Sequence, residues 1–484
     1  MNELIVHISK ANKKNVKNID SYNILDNVKH VNVLNILDYW INVYYDKTHV
    51  DYYKNYLISE NNKNEKYKTD KYNIYKDIQY KHINHNNFTE VLDKLTSEYR
   101  KYNKIKIQDE VIKKLKKETI DTRKIYRKII NKISKIYTSN LSTYNLIVEK
   151  IKIENSNSKI FMIGDLHSSL HSFLDFLKNI RDHFEVERIV ENSTGKHELK
   201  SLKLKKNVYI YFLGDLLDRG PYSIEIFFLF MKLKLANMNQ VFLTRGNHEE
   251  YSTYERYGFN EEIENQFPHH KIDIMKKIHL LLNMIPSLIF LNFNNELYHL
   301  CHGAIDTNED FSKFLKDQYI NMLCYPYSEN IESNGIIWGD FVQKYKTKTI
   351  TKNGYELGIS SRNFPGQEII FDYDLKTIKD YLNRFGITAI ISGHQDKENI
   401  LVLTENYYTK KKVKINISSE YDLCTWINKD TKTYVSNDDR KINFSLKPGV
   451  EFKALVTSSA AIVRQINNCY LELRKDYKKV IKDC

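Results

Sequence analysis

Five short apolar runs in this 484-residue chain each end in residues that bind metals or move protons. They are Gly164-Asp165-Leu166-His167, Gly214-Asp215-Leu216-Leu217-Asp218-Arg219, Arg245-Gly246-Asn247-His248-Glu249, His302-Gly303 and Gly393-His394. One Asp or His in a turn is usually a cap or a surface group; the same chemistry at all five points to one assembled centre. Asp165, His167, Asp215, Asn247, His302 and His394 form a mixed hard and borderline donor set, which suits manganese, iron or zinc better than calcium. Asp165 and His167, two apart on one turn, can reach one ion. Asp215 can bridge two ions about 3.5 to 4 Å apart, with Asn247, His302 and His394 completing the second. Such a pair would bring a shared water to hydroxide near neutral pH and clamp a phosphoryl oxygen. Arg219 adds a fixed guanidinium that matches a phosphate in geometry and charge. His248 beside Asn247, and Asp218 beside Arg219, supply an acid and the group that orients it.

These groups need a scaffold that gathers distant segments. The runs before them, Lys159 to Ile163, Val208 to Leu213, Val241 to Thr244, Leu297 to Cys301 and Ala389 to Ser392, are short and rich in β-branched or aromatic residues, which predicts strands. Helical spacing lies between some of them, at Ser223 to Leu235 and Leu375 to Phe385. The alternation predicts an α/β fold with its functional groups beyond the carboxyl ends of strands. Residues 185–206 and 344–355 read as hydrophilic inserts within a catalytic domain over 151–466. Upstream, Phe88, Val91, Leu92, Leu95 and Tyr99 recur at three- and four-residue steps, as do Ile125, Ile129, Ile133 and Ile136, predicting a basic helical segment over 86–150. Residues 1–85 read as an N-terminal extension of undecided fold, dispensable for hydrolysis of a small aryl phosphate. Residues 467–484 read as a helical tail.

Composition narrows the function classes. Hydrophobic residues make up 42% and charged residues 28%, against only 15 Gly and 6 Pro, so the chain is expected to be globular. No uninterrupted apolar run is long enough to span a bilayer, and the start lacks a secretory cleavage pattern. The five cysteines are widely spaced without a CxxC pair, so a reducing, intracellular, cytoplasmic setting is expected rather than a disulfide framework. The formal charge of +13 sits mostly between 101 and 150, where fourteen Lys and Arg face five Asp and Glu. That stripe reads as a solvated helix face, so neither nucleic acid nor membrane is expected as a partner.

Taken together, GDLH, GDLLDRGPYSIE, RGNHE with Tyr257-Gly258-Phe259 beyond it, CHGA, IIWGD and SGHQ resemble the phosphoprotein phosphatase branch of the calcineurin-like metallophosphoesterases. The resemblance covers about 110–464. It implies a central β-sandwich of mixed sheets flanked by helices, two divalent or trivalent metal ions, and hydrolysis of phosphoserine or phosphothreonine in proteins by a dimetal-activated hydroxide. It also implies Asp165, His167 and Asp215 on the first ion, and Asp215, Asn247, His302 and His394 on the second. Arg219 and Arg362 would hold the phosphate, and His248, held by Asp218, would be the acid. A regulatory partner would engage the N-terminal extension. Ser168 and Ser169 stand where the family usually has Gly and Gln, and Ala304 replaces a glycine. Two other readings stay open: a dinucleoside polyphosphate hydrolase of the same superfamily, and a non-catalytic binding protein on a phosphatase scaffold. A third, aspartyl-phosphate chemistry at Asp372-Tyr373-Asp374, is disfavoured by Lys376, where that motif wants Thr or Val.

Overall fold

The computed structural model describes residues 83–115, 145–185, 202–326, 334–362 and 369–395, a few single or paired positions excepted, and the backbone of strands within 2–9 and 400–475. Strand β1 (Asn2–Ser9) is followed, among the described residues, by helix α1 (His85–Leu115). The predicted stripe is what α1 buries: Phe88, Leu92, Leu95 and Tyr99 are in the core and Val91 is partly covered. At roughly 1.5 to 3 kcal/mol for each large apolar side chain, that face accounts for the docking of α1. The second predicted stripe, Ile125 to Ile136, and most of the basic stretch lie outside the described residues.

Next come β2 (Asn145–Ile153), β3 (Lys159–Ile163), α2 (Leu170–Asn179), β4 (Val208–Phe212), α3 (Ser223–Ala236) and β5 (Val241–Leu243). Helix α3 is apolar on nearly every side because its neighbours cover it nearly all round, as buried helices require. After α4 (Phe259–Gln266), α5 (Lys271–Leu282), β6 (Leu288–Phe293) and β7 (Glu296–Cys301), the chain builds a smaller layer. On the way it adds β8 (Met322–Pro326), which pairs with β2; the layer itself contains α6 (Asn334–Trp338), β9 (Asp340–Val342), β10 (Thr349–Lys352), β11 (Tyr355–Ile359), β12 (Phe371–Asp374) and α7 (Leu375–Phe385). Asp374 caps α7 by accepting from Thr377 N at 2.9 Å, and Gly386 ends it at φ 66°, so the Asp372-Tyr373-Asp374 run serves a helix boundary. The remaining strands are β13 (Ala389–Ser392), β14 (Ile400–Thr404), β15 (Thr433–Val435), β16 (Lys441–Leu446), β17 (Lys453–Thr457) and β18 (Asn468–Lys475).

Two mixed sheets pack face to face. The first has the order β15-β16-β1-β18-β3-β4-β5 and the second β8-β2-β6-β7-β13-β17-β14. Ile160, Met162, Tyr211 and Leu213 of the first meet Ile289, Leu291, Leu300 and Ile391 of the second in the core between them. Helices α1 to α5 contribute to the core outside the first sheet, and α6, α7 and the four-stranded sheet β9-β12-β11-β10 to that outside the second. Strands β3, β4 and β5 run parallel, as do β7 and β13, which aligns the carboxyl ends carrying the chemistry within each sheet.

Two expectations change. The tail read as a helix over 467–484 is a strand at β18, paired antiparallel with β1 and β3; Cys469, Leu471 and Leu473 alternate with Tyr470, Glu472 and Arg474, a period of two. The stretch 344–355 is not a plain insert, since β10 and β11 form a hairpin whose Asn353-Gly354 turn takes positive φ at both residues. Strand β1 places the start of the extension inside the first sheet. Residues 186–201, the middle of the 185–206 insert, and residues 10–82 lie outside the described residues. No described helix is long and apolar enough to cross a membrane.

Candidate active site

The turns after β3, β4 and β5 and those after β7 and β13 converge. Asp165, His167, Asp215, Asp218, Asn247, His248, His302 and His394 are all buried. Ten non-glycine residues among those described have positive φ. Four are Asn in ordinary turns; the other six are His167, Ser168, Asp215, Asp218, Arg219 and His394, all at this site. A left-handed non-glycine residue costs on the order of 1 to 3 kcal/mol, so its surroundings must hold it there.

Those restraints are visible. Leu166 N and His167 N donate to Asp215 O at 2.9 Å, and Ser168 N donates to Leu216 O at 2.9 Å, which splints the first turn to the second. Glu249 Oε2 accepts from Asp215 N and Gly246 N, and its Oε1 from Leu216 N, each at 2.8 Å. Burial, then the Asp215 carboxylate, push the Glu249 carboxyl up to about 7. Side chains from one turn also brace the next: His248 N donates to Asp215 Oδ1 and His394 N to Asp165 Oδ1, both at 2.9 Å. These contacts dictate glycine at two positions. A Cβ on Gly246 would sit 2.2 Å from Asp215 Oδ1, and one on Gly393 would sit 2.3 Å from Asp165 Oδ1.

Three imidazoles are oriented by backbone carbonyls. His167 Nδ1 lies 3.2 Å from Leu217 O, His302 Nδ1 2.8 Å from Leu213 O, and His394 Nε2 3.1 Å from Trp338 O. A carbonyl only accepts, so each of these nitrogens carries the N–H and the other ring nitrogen presents a lone pair. The lone pairs face other acceptors. His302 Nε2 is 2.9 Å from Asn247 Oδ1, 3.1 Å from His394 Nδ1 and 3.2 Å from Asp215 Oδ2, while His167 Nε2 is 3.5 Å from Asp215 Oδ2 and 3.8 Å from Asp165 Oδ2. Acceptors crowded on acceptors around buried carboxylates form a donor set that fits cations. Two ligand groupings, each within 4.8 Å, share Asp215: His167 with His248, and His302 with His394. A carboxylate common to both is what a bridge between two ions requires.

Burial dominates the protonation equilibria. It pushes Asp165 up to about 7 and pulls His167 down to about 3, with the Arg219 charge adding to the latter. His248 and His394 also fall well below the ordinary histidine range through burial. His302 is the exception: burial works against its charged form, but the Asp215 carboxylate overrides it and holds the ring up at about 9, so without an ion Nε2 carries a proton toward Asp215, and it offers its lone pair to a cation that displaces that proton.

His248, a member of the first grouping, also belongs to a second device. His248 Nδ1 is 2.8 Å from Asp218 Oδ2, and Asp218 Oδ1 accepts from Phe259 N at 3.0 Å. His248 Nε2 then faces the centre, 4.0 Å from Asp215 Oδ2. Exposed Tyr257 lies edge-on to His248 at 5.1 Å, and its carbonyl accepts from Arg219 N at 3.1 Å. Arg362 is forked onto Asp340, with Nε to Oδ2 at 2.8 Å and Nη2 to Oδ1 at 3.2 Å, and Asp340 Oδ1 is 3.8 Å from His394 Nε2. Cys301, next to His302, is a buried thiol bonded to Ala304 O.

Sequence reasoning singled out these ten residues but gave no role to Glu249, Asp340 or Trp338. For Glu249 a signal existed, since an acid three residues after the turn's first glycine is a capping pattern. Asp340 and Trp338 were visible only as part of the IIWGD motif, and what each does comes from tertiary contact.

The sandwich, and a buried donor set shared between its two sheets, define a metal-dependent phosphoesterase scaffold. Residues 158–397 match the calcineurin-like phosphoesterase family, and this part of the chain is a domain of that family. Among curated relatives, serine/threonine-protein phosphatase rdgC of Drosophila melanogaster is 26% identical over 246 residues, 50% of this chain and 33% of that protein. Serine/threonine-protein phosphatase 4 catalytic subunit of Eremothecium gossypii is 32% identical over 128 residues, 26% of this chain and 34% of that one. The chain thus spans only about a third of the length of either. A solved protein serine/threonine phosphatase from Saccharomyces cerevisiae aligns with TM-score 0.39 and 16% identity, covering 69% of this chain and 75% of that one.

Proposed function

We propose that this protein is a metal-dependent serine/threonine phosphatase that hydrolyses phosphate monoesters of proteins. The observation that carries the reading is the His248–Asp218 pair at 2.8 Å, joined through His248 to the first of two ligand groupings that share Asp215. The protein phosphatases named above support the substrate class. In this reading Asp165, His167 and Asp215 hold one ion, and Asp215, Asn247, His302 and His394 the other, with manganese, iron or zinc the candidates. When bound, the ions supply hydroxide near neutral pH and neutralise phosphoryl charge.

The chain's own residues do the rest. Arg219 and Arg362 receive the phosphoryl oxygens, and Asp340 aims the Arg362 guanidinium by its two-point bond. Asp218 fixes the His248 ring so that Nε2, once it has taken up a proton, can pass that proton to the departing serine or threonine oxygen. Tyr257 keeps Arg219 and His248 on one wall of the site. The deciding experiment measures Mn2+-dependent phosphate release from a phosphoserine peptide and from diadenosine tetraphosphate. Peptide turnover that disappears in Asp215→Asn supports the proposal. Cleavage of the dinucleotide alone, or of neither, overturns it.

A further inference from the structure

Glu250 and Trp338 lie outside the ligand set, yet their side chains meet across it. Trp338 Nε1 donates to Glu250 Oε2 at 2.9 Å, and Glu250 is only 8% exposed. Glu250 follows the Asn247–Glu249 turn and so belongs to the first-sheet side. Trp338 ends α6, whose backbone is fastened to the second-sheet side: Gly303 N donates to Ile336 O and Ala304 N to Gly335 O, each at 2.7 Å. The indole therefore ties the short α6 segment back to the turn that presents Asn247 and His248.

Trp338 also holds a ligand. Its carbonyl accepts from His394 Nε2 at 3.1 Å, and its ring stands edge-on to the His394 ring at 6.2 Å. This one main-chain bond fixes the tautomer that turns His394 Nδ1 toward Asn247 and His302. A buried carboxylate is costly unless it makes strong bonds, and an indole N–H is a donor with no competing acceptor role. We propose that Glu250 is a positioning residue. Through the Trp338 indole it holds the carbonyl that orients His394, and so it sets the affinity of the centre for its second ion. The inference rests on the dinuclear reading above but not on the identity of the substrate.

The test is Mn2+ uptake by the full chain, measured by equilibrium dialysis with elemental analysis, alongside tryptophan emission. Glu250→Ala and Trp338→Phe should each weaken the less tightly held Mn2+ by about 10- to 100-fold, the usual effect of losing an outer partner of a ligand. Glu250→Gln keeps an acceptor and should stay near wild type. The double variant should be no worse than the weaker single, because both remove the same bond. The emission maximum should shift to the red in Glu250→Ala, and that shift should vanish when Trp338 is also Phe. Turnover lost in either single variant should return at high Mn2+. Wild-type affinity in Trp338→Phe overturns the proposal, even where Glu250→Ala fails to fold, and so do losses that multiply in the double variant. A wild-type chain that takes up no Mn2+ overturns the reading of the centre itself, a different result from variants that match a metal-binding wild type.

Discussion

The half of the centre built on the first sheet and the half built on the second are held in different ways. On the first, the turns after β3, β4 and β5 are laced by backbone bonds, and one carboxylate, Glu249, gathers three N–H groups. On the second, His302 and His394 are each aimed by one carbonyl, from Leu213 and Trp338. The first half can store five strained non-glycine residues because its turns splint one another; the second stores one, His394. In the proposed reading, that rigid scaffolding lies under the proton donor His248 and under Arg219. The ligands on the opposite side depend on contacts made across the sandwich.

Substitutions can break or sharpen that contrast. The largest effect is expected at the shared residue: Asp215→Asn should take Mn2+-dependent turnover to background, and retained wild-type rates would refute a bridging role. His248→Asn should lower kcat by about 10² to 10⁴ while metal content stays, as for a lost acid. Loss of metal along with activity would instead make His248 a ligand, consistent with its nearness to His167 and Asp215. Glu249→Ala bares three buried donors at about 1 to 3 kcal/mol each, and urea denaturation should show the first half to be the more sensitive. An unchanged midpoint would mean the turns stand without it. Removing residues 1–9 takes β1 from between β16 and β18, so the truncated chain should unfold at lower urea than the full chain. Equal midpoints would mean that the first sheet stands without β1. The smallest change is Arg362→Lys, which loses the two-point bond to Asp340 and should raise KM for a phosphopeptide more than it lowers kcat. The reverse split would place Arg362 in the chemical step instead.

Much of this molecule was written locally. Strands at 159, 208, 241, 296 and 389 follow from short β-prone runs stopped by turns, and α1 and α7 from helical spacing. The residue types that do chemistry announced themselves because Asp, His and Asn recurred at the ends of those runs. β18 was misread because a mixed run of apolar and charged residues satisfies two periods, and only pairing with β1 and β3 chooses between them. Tertiary structure alone decided which nitrogen of His167, His302 and His394 faces inward, since that depends on a carbonyl fifty or more residues away, as with Leu217 O for His167 and Leu213 O for His302. It also decided that Asp340 braces Arg362 and that Glu250 reaches Trp338, contacts between segments with no shared local pattern. A sequence determines its donors through covalent identity; the direction of a lone pair is set only once distant backbone has closed around it.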